Sequence, residues 1–393
     1  MVIVFACVFY FYQIFQLYPG TLPKIYLYSI RYEPFRKKGI RYLSYVSNIS
    51  KIYHIYLDKI RIKSRGGWSE DFPKRNFTIE LSKKHSLAGL KSDDDWILGA
   101  SYIDKSFIRN KLSYDLFRSF NIKNITPTCR YVEVYRNFQY WGLYILTERM
   151  DCKRLEINKS DTNAYIFKEP PVFIDPDIFS TSNPYIKGDI HHQKHPRLFE
   201  LNKTDYLEKL RCFIKTSPDS VFYSESKGIH TYFNLDNIVD WHILLLITHN
   251  ADGTRKNFYL YKREINALFE IVPWDYDHSF GRDGDNEPHS PGIIDVQANT
   301  LLNRLLQSHI YKTKLKHRFA ALVKSGVLTS ENIISMVEKD YRYFKIHVAK
   351  NENRWPVDAE LFYDNNNFEQ EIQLIKNWIP IQINQVSNYV ESL

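Results

Sequence analysis

The sequence predicts an α+β protein, with a sheet-rich front containing one helix and a mostly helical back. Three observations carry this reading. Apolar and aromatic residues alternate with polar ones through KIYLYSI, IYHIYLDKIRIKS and NFTIEL between residues 24 and 81, the period of a half-buried sheet. Ile108, Leu112, Leu116 and Phe120 then recur every four residues, a helix stripe within 104–120. After residue 297 the pattern stays helical to the end, through NTLLNRLLQSHIY, YKTKLKHRFAALVKSG and FEQEIQLIKNWIPIQINQVSNYVESL. The expected division is an apolar segment at 1–20, a sheet-rich front at 21–150 and a helical back at 151–393.

The elements between follow from local chemistry. SRGGWSEDFPKR separates two strands, and its adjacent glycines permit a close backbone turn. RYVEVYRNFQYWGLYILTER reads as a hairpin: Val132 and Val134 alternate before the turn at RNFQ, Leu143 and Ile145 after it. Residues 170–230 are rich in Pro, Asp, Ser and His and predict loops over short helices. LDNIVDWHILLLITHN predicts a buried helix from Leu235, capped by Asn234.

Composition narrows the function classes. The aromatic fraction of 16% argues for a packed protein and against disorder. A net charge of +8 fits an anionic partner but has no long basic tail behind it, only clusters such as Arg36–Lys38 and Lys83–Lys84, and no nucleic-acid partner is expected. Cys7, Cys129, Cys152 and Cys212 form no CxxC pair, so neither a zinc site nor a disulfide framework is read, although an exported chain would leave Cys129 and Cys152 open to pairing. Residues 1–12 are apolar or aromatic without a charge, borderline in length for a membrane span and lacking the basic start of a secretory signal. A signal or membrane anchor is preferred there over a buried first strand. Lys24, Arg31 and Arg36–Lys38 would hold the chain beyond a span on the cytoplasmic side, whereas an export signal would place it outside. In DIHHQKH, His191, His192 and His195 suit zinc or nickel, yet no second cluster joins them, and a solvated loop is preferred.

The chemistry concentrates in residues 249–281. Asp252 precedes Asn257 by five residues, FYLYK and ALFEIV predict a hairpin joined by REIN, and PWDYDHSFG places Asp275 and Asp277 behind it. A hairpin brings its ends together, so Asn257 and Asp275 should lie side by side with Asp252 one loop upstream. An amide oxygen and a carboxylate can hold Mg²⁺ against a triphosphate, and a separate carboxylate can accept a proton from an attacking hydroxyl. Protein kinases use this order of Asp, Asn, hairpin and metal-binding Asp. The front half supplies further parts in matching order: the turn Arg65-Gly66-Gly67-Trp68-Ser69 to cover phosphates, Lys74-Arg75 opening the next strand to reach them, a helix, a hairpin, and Glu148 at its exit as a hinge or structural residue. Basic residues at such a strand start are otherwise solvated. The literal signatures G-x-G-x-x-G, V-A-I-K, H-R-D and D-F-G are absent, which excludes an ordinary protein kinase.

With IRIKSRGGWSEDFPKRNFTIEL at 60–81, DDDWILGASYIDKSFIRNKLSYDLFRSF at 93–120, GLYILTERM at 142–150, AYIFKEP at 164–170, NADGTRKNFYLYK at 250–262 and PWDYDHSFG at 273–281, the chain resembles the CotH kinase family, atypical kinases named for a spore-coat protein. The blocks run in family order over about residues 22–390. The W-x-L, D-x-S-x-x-R-N, N-x-D and P-W-D-x-D elements are intact, while Trp68 replaces the first serine of the family's Arg-Gly-x-Ser-Ser turn. The resemblance implies an atypical protein-kinase-like fold with ATP and Mg²⁺ as cofactors. On it, Asp252 is the catalytic base, Asn257 and Asp275 hold the metal, and Asp277 takes a metal or orienting role. One of Lys74 and Arg75 approaches the phosphates; strand alternation puts Arg75 on the face of Phe77, Ile79 and Leu81. Lys168 is another phosphate candidate, and Arg109 and Asn110 support the site or clasp the structure. The expected activity is transfer of the ATP γ-phosphoryl to Ser or Thr of a protein, one that the positive charge would favour if acidic. A nucleotide-binding pseudokinase at a surface, or phosphoryl or nucleotidyl transfer to a small molecule, shares the same features. The expected location is at a membrane or exported through the first segment, with the cytoplasm as the alternative.

Overall fold

The computed structural model describes residues 22–29, 42–49, 56–174, 193–197, 200–283, 286–357 and 364–393. The apolar segment at 1–20, Cys7, Arg31, Arg36–Lys38, His191 and His192 lie outside the described residues. In chain order come β1 (Lys24–Tyr28), β2 (Tyr42–Ile49), β3 (Tyr56–Arg65), β4 (Asn76–His85), β5 (Asp93–Gly99), α1 (Arg109–Phe120), β6 (Cys129–Arg136), β7 (Gln139–Glu148), β8 (Tyr165–Lys168) and β9 (Gln193–His195). They are followed by α2 (Thr204–Thr216), α3 (Asp219–Phe222), α4 (Leu235–Thr248), β10 (Phe258–Lys262), β11 (Glu270–Pro273), α5 (Thr300–Leu305), α6 (His309–Lys324), α7 (Ser330–Phe344), α8 (Val348–Arg354) and α9 (Phe368–Ser392). No helix among the described residues is long and apolar enough to cross a membrane.

The fold mixes helices and sheets, and the chain divides into two compact units. The first draws on residues 1–102, 128–149 and 339–357. Its strands curl into a closed barrel in the order β1-β2-β3-β4-β5-β7-β6, with β1 closing parallel to β6 and every other pair antiparallel. Alternation sends Ile60, Ile62, Phe77, Ile79, Leu81, Trp96, Leu98, Val132, Val134, Tyr144 and Leu146 into one core. The β6–β7 hairpin turns at Asn137 and Phe138, both at positive φ (46° and 66°), as a two-residue hairpin turn requires. Against β7 rests α8: Asn351 Oδ1 accepts from the Leu143 amide at 3.0 Å, and the Trp355 indole donates to Trp141 O. Gly142, at φ 146°, makes this approach possible, because a β-carbon there would stand 3.1 Å from Asn351, Lys74 and Trp355 side-chain atoms.

The second unit draws on residues 103–127, 150–338 and 358–393, and therefore includes α1, which precedes the β6–β7 hairpin in sequence. Its sheet is antiparallel in the order β11-β10-β8-β9. Helix α4 is buried on every side, which explains its nearly unbroken apolar run. Asn234 caps it, accepting from the Asp236 amide at 3.2 Å, and Asn237 exchanges two hydrogen bonds with the Ile271 backbone, fastening α4 to β11. Helix α9 opens on a capping box between Asn367 and Gln370. Cys129 and Cys152 are buried thiols and form no disulfide. His195 sits in β9 rather than in a solvated loop, its ring Nε2 2.9 Å from Asp161 O, because a three-residue strand there completes the sheet edge beside β8.

Candidate active site

Hairpin β10–β11 begins with Phe258 opposite Pro273. The Trp274 amide donates to Asn257 O at 2.9 Å, extending the ladder one step, and Asn257 Nδ2 donates to Asp275 O at 2.8 Å. The amide and the acid are therefore adjacent, as the hairpin arrangement predicts. Both have left-handed backbones, at φ 60° and 61°, a region that Asn and Asp enter more readily than other side-chain-bearing residues. The residue types thus suit the backbone as well as a ligand. Asn257 is buried, whereas Asp275 is exposed.

Asp252 starts the turn that runs into Asn257. Its carbonyl accepts from the Arg255 and Lys256 amides at 3.1 and 2.8 Å, and its half-buried carboxylate lies 3.1 Å from Lys256 Nζ. Asn250 Oδ1 ties the turn to the Gly253 amide at 2.8 Å. A side chain at residue 253 would collide with Leu245 at 2.6 Å, so glycine lets the turn lie against α4.

Lys168 ends β8 opposite Tyr259, with Nζ 2.8 Å from Glu169 Oε1. Burial alone would lower its pKa; the charges of Tyr259, Glu169 and Asp275 outweigh burial and hold it above the ordinary lysine value. Glu169 is a site neighbour that pattern reading missed. It has φ 52°, and its amide donates to Phe258 O at 2.8 Å, so the strand end bends tightly against β10.

Helix α1 holds the loop after β11. The Asp275 amide donates to Tyr114 Oη at 3.0 Å, Tyr114 Oη donates to Asn110 Oδ1 at 3.1 Å, and the Tyr276 amide donates to the same Oδ1 at 2.6 Å. Asn110 and Tyr114 stand four residues apart on one helix face, the spacing that lets two side chains grip one loop. Asp277 is half-buried beyond the buried Tyr276 and takes no part in the Asn257–Asp275 bond.

Under that loop lies a buried ionic network. Arg109 donates to Ser279 O at 2.8 Å and pairs with Asp104 at 2.7 Å and Glu371 at 2.8 Å; Arg282 bonds the same Glu371 and pairs with Asp364 at 2.7 Å. Burial would raise the Glu371 pKa, but Arg109 and Arg282 hold it down to about 2. Nothing in the spacing singles out Glu371, except that it falls on the buried stripe of α9 with Ile375, Trp378 and Gln382.

The remaining candidates belong to the barrel unit. Gly66, at φ 140°, allows the turn after β3, since a β-carbon would meet Ser69 Oγ at 2.3 Å. Ser69 Oγ accepts from Asn76 Nδ2 at 3.2 Å, and Gly67 O accepts from the Glu70 amide at 3.2 Å. Arg65 ends β3, opposite Asn76. Lys74 and Arg75 lie in the turn before β4, not in the strand, so alternation along β4 does not assign their faces. Lys74 is 1% exposed, against the expectation of a solvated cation. Its ammonium donates to Ala100 O at 2.6 Å and Leu143 O at 2.5 Å and lies 4.7 Å from the Tyr144 ring, and burial pulls its pKa well below the usual value. Arg75 is half-buried. Glu148 is buried at the end of β7, its carboxylate accepting from the Thr128 amide at 2.9 Å, which locks the open end of the β6–β7 hairpin.

Among the described residues no three His, Cys, Asp or Glu side chains gather as a metal site. The candidate set is one amide and one carboxylate, with Asp252 nearby in sequence. This combination suits a cation whose remaining ligands come from phosphate and water. The family model described as CotH kinase protein matches residues 62–381. Among curated proteins the chain is 28% identical over 290 residues to Inner spore coat protein H of Bacillus subtilis (strain 168), covering 71% of this chain and 75% of that one. The matched span takes in the Gly66 turn, helix α1 and the whole β10–β11 hairpin, and the chain belongs to the CotH kinase protein family.

Proposed function

We propose that the chain is an atypical protein kinase that transfers the γ-phosphoryl group of ATP to a Ser or Thr hydroxyl of a protein. The observation that supports this most is the convergence of Asn257, Asp275 and Lys168 at the end of one hairpin, with Asp252 on the turn leading into it. Asp252 takes the proton of the attacking hydroxyl; the hydroxyl oxygen bonds to the γ-phosphorus as the bond to the β–γ bridging oxygen breaks, and ADP leaves with that electron pair. Lys168 neutralises phosphate charge.

The donors at the hairpin end fit Mg²⁺: the Asn257 Nδ2 bond to Asp275 O fixes the amide orientation and keeps Oδ1 as the cation's ligand, and the Asp275 carboxylate is exposed. Held there, Mg²⁺ would supply charge neutralisation on the phosphates. Asn110 and Tyr114 keep Asp275 in its left-handed conformation. Asn110→Ala removes the acceptor for Tyr276 and Tyr114 and is expected to raise the Mg²⁺ concentration needed for half-maximal rate about tenfold. A rate–Mg²⁺ curve superimposed on that of the wild type would remove Asn110 from this role.

The reading is tested by incubating the purified chain with γ-labelled ATP, Mg²⁺ and a panel of acidic and neutral Ser/Thr proteins. Label on Ser or Thr is expected. ATP binding without label on any substrate points to a pseudokinase, and an AMP adduct to nucleotidyl transfer; either outcome overturns the proposal.

A further inference from the structure

His249 and His289 bring two imidazoles together away from the hairpin end. His249 closes α4 in a left-handed conformation, φ 52°, and its Nε2 shares a 3.3 Å hydrogen bond with that of His289, whose proton a metal would replace. The ring centroids are 4.2 Å apart and the planes 33° from parallel, so the rings converge toward their Nε2 ends. With Zn–N distances of about 2.0–2.1 Å, that separation subtends roughly 104–111° at a shared metal, bracketing the tetrahedral angle.

Gly292 lies beside the pair among polar atoms. A β-carbon at Gly292 would stand 3.8 Å from His249 Nε2, 4.0 Å from Gln385 Oε1 and 4.0 Å from Ser290 O. One imidazole nitrogen, one amide oxygen and one carbonyl oxygen thus face Gly292 at ordinary contact distance. The surroundings are fixed. The Trp378 indole donates to His289 O at 3.0 Å, and the His289 amide donates to Gly281 O at 2.9 Å. Buried Gln382 accepts from the Gly292 amide at 2.8 Å and donates to Gly292 O at 2.7 Å and Leu246 O at 2.6 Å.

We propose that His249 and His289 chelate a borderline-soft divalent cation of the Zn²⁺ or Cu²⁺ class, with water completing the coordination. Two imidazole nitrogens select against Mg²⁺, which favours carboxylate and water. This site is independent of the kinase reading, although it lies three residues before Asp252 and its occupancy would brace that segment.

The test uses the full chain in saturating Mg²⁺, titrated with Zn²⁺ against a chromophoric chelator. The wild type should bind one Zn²⁺ at least ~10-fold more tightly than His289→Ala and His289→Gln, each first shown to melt like the wild type without Zn²⁺. Cu²⁺ bound to the wild type should show electron spin resonance coupling to two imidazole nitrogens, a readout that needs no variant. Equal Zn²⁺ affinity in folded variants, or a Cu²⁺ spectrum without two nitrogen couplings, overturns the proposal.

Discussion

Asp275→Ala is expected to lower the phosphoryl-transfer rate by about 10²–10³, and Asp275→Asn by nearly as much. The two variants separate charge from shape. Asp275 stands at φ 61°, where alanine is strained and asparagine is tolerated, so Asn preserves the loop while removing the carboxylate. Lys168 should respond as well, because the Asp275 charge is one of those holding its pKa up. The measurement is initial rate against Mg²⁺ concentration. Wild-type Mg²⁺ dependence in Asp275→Asn would take the carboxylate out of the metal role.

Glu371→Gln is expected to destabilise the second unit by about 3–5 kcal/mol, since it removes the buried carboxylate that Arg109 and Arg282 share and leaves two buried guanidinium groups with only Asp104 and Asp364 to balance them. All three side chains are 1% exposed, so solvent cannot compensate. The pH dependence has a definite sign. The folded-state pKa of Glu371 is held at about 2, below its reference value of 4.5, so the unfolded chain takes up the proton first. Its contribution is complete above about pH 4.5 and is lost as pH falls toward 2. Urea unfolding followed by tryptophan fluorescence should show wild-type stability falling across that window and a flatter profile in Glu371→Gln. Parallel profiles, or a loss below about 1 kcal/mol at pH 7, would show that the network does not carry this energy.

The parts of the fold written in short-range pattern were legible in the sequence. The β6–β7 and β10–β11 hairpins follow from alternation with a turn between, and α4 from its apolar run behind Asn234. The adjacency of Asn257 and Asp275 followed from the same hairpin logic. Features that depend on distant partners were not legible. β5 opens with three aspartates and reads poorly as a strand; in the fold, the Asp93 carboxylate accepts from the Asp94 and Asp95 amides, which accommodates the acids locally. Barrel closure rests on β1 pairing with β6, more than a hundred residues away, and no local period reports it. Lys74 looked like a surface cation because its acceptors, Ala100 O and Leu143 O, come from other segments. Glu371 escaped notice because a carboxylate on a helix is usually solvated, and partners from outside its helix, Arg109, Arg282 and Asn366, make its burial tolerable.

Everything proposed for the turn and hairpin from Asp252 to Asp275 depends on phosphate transfer with Asp252 as the base. The most direct measurement compares wild type and Asp252→Ala at saturating Mg²⁺ and ATP, with γ-labelled and α-labelled ATP in parallel and ATP affinity determined on the same samples. Label is expected only from the γ position, with a rate about 10²–10⁴ lower in the variant, and ATP affinity within about threefold of the wild type, a difference under 1 kcal/mol. Equal γ-label incorporation by the two proteins, or label arriving from the α position, would contradict this mechanism.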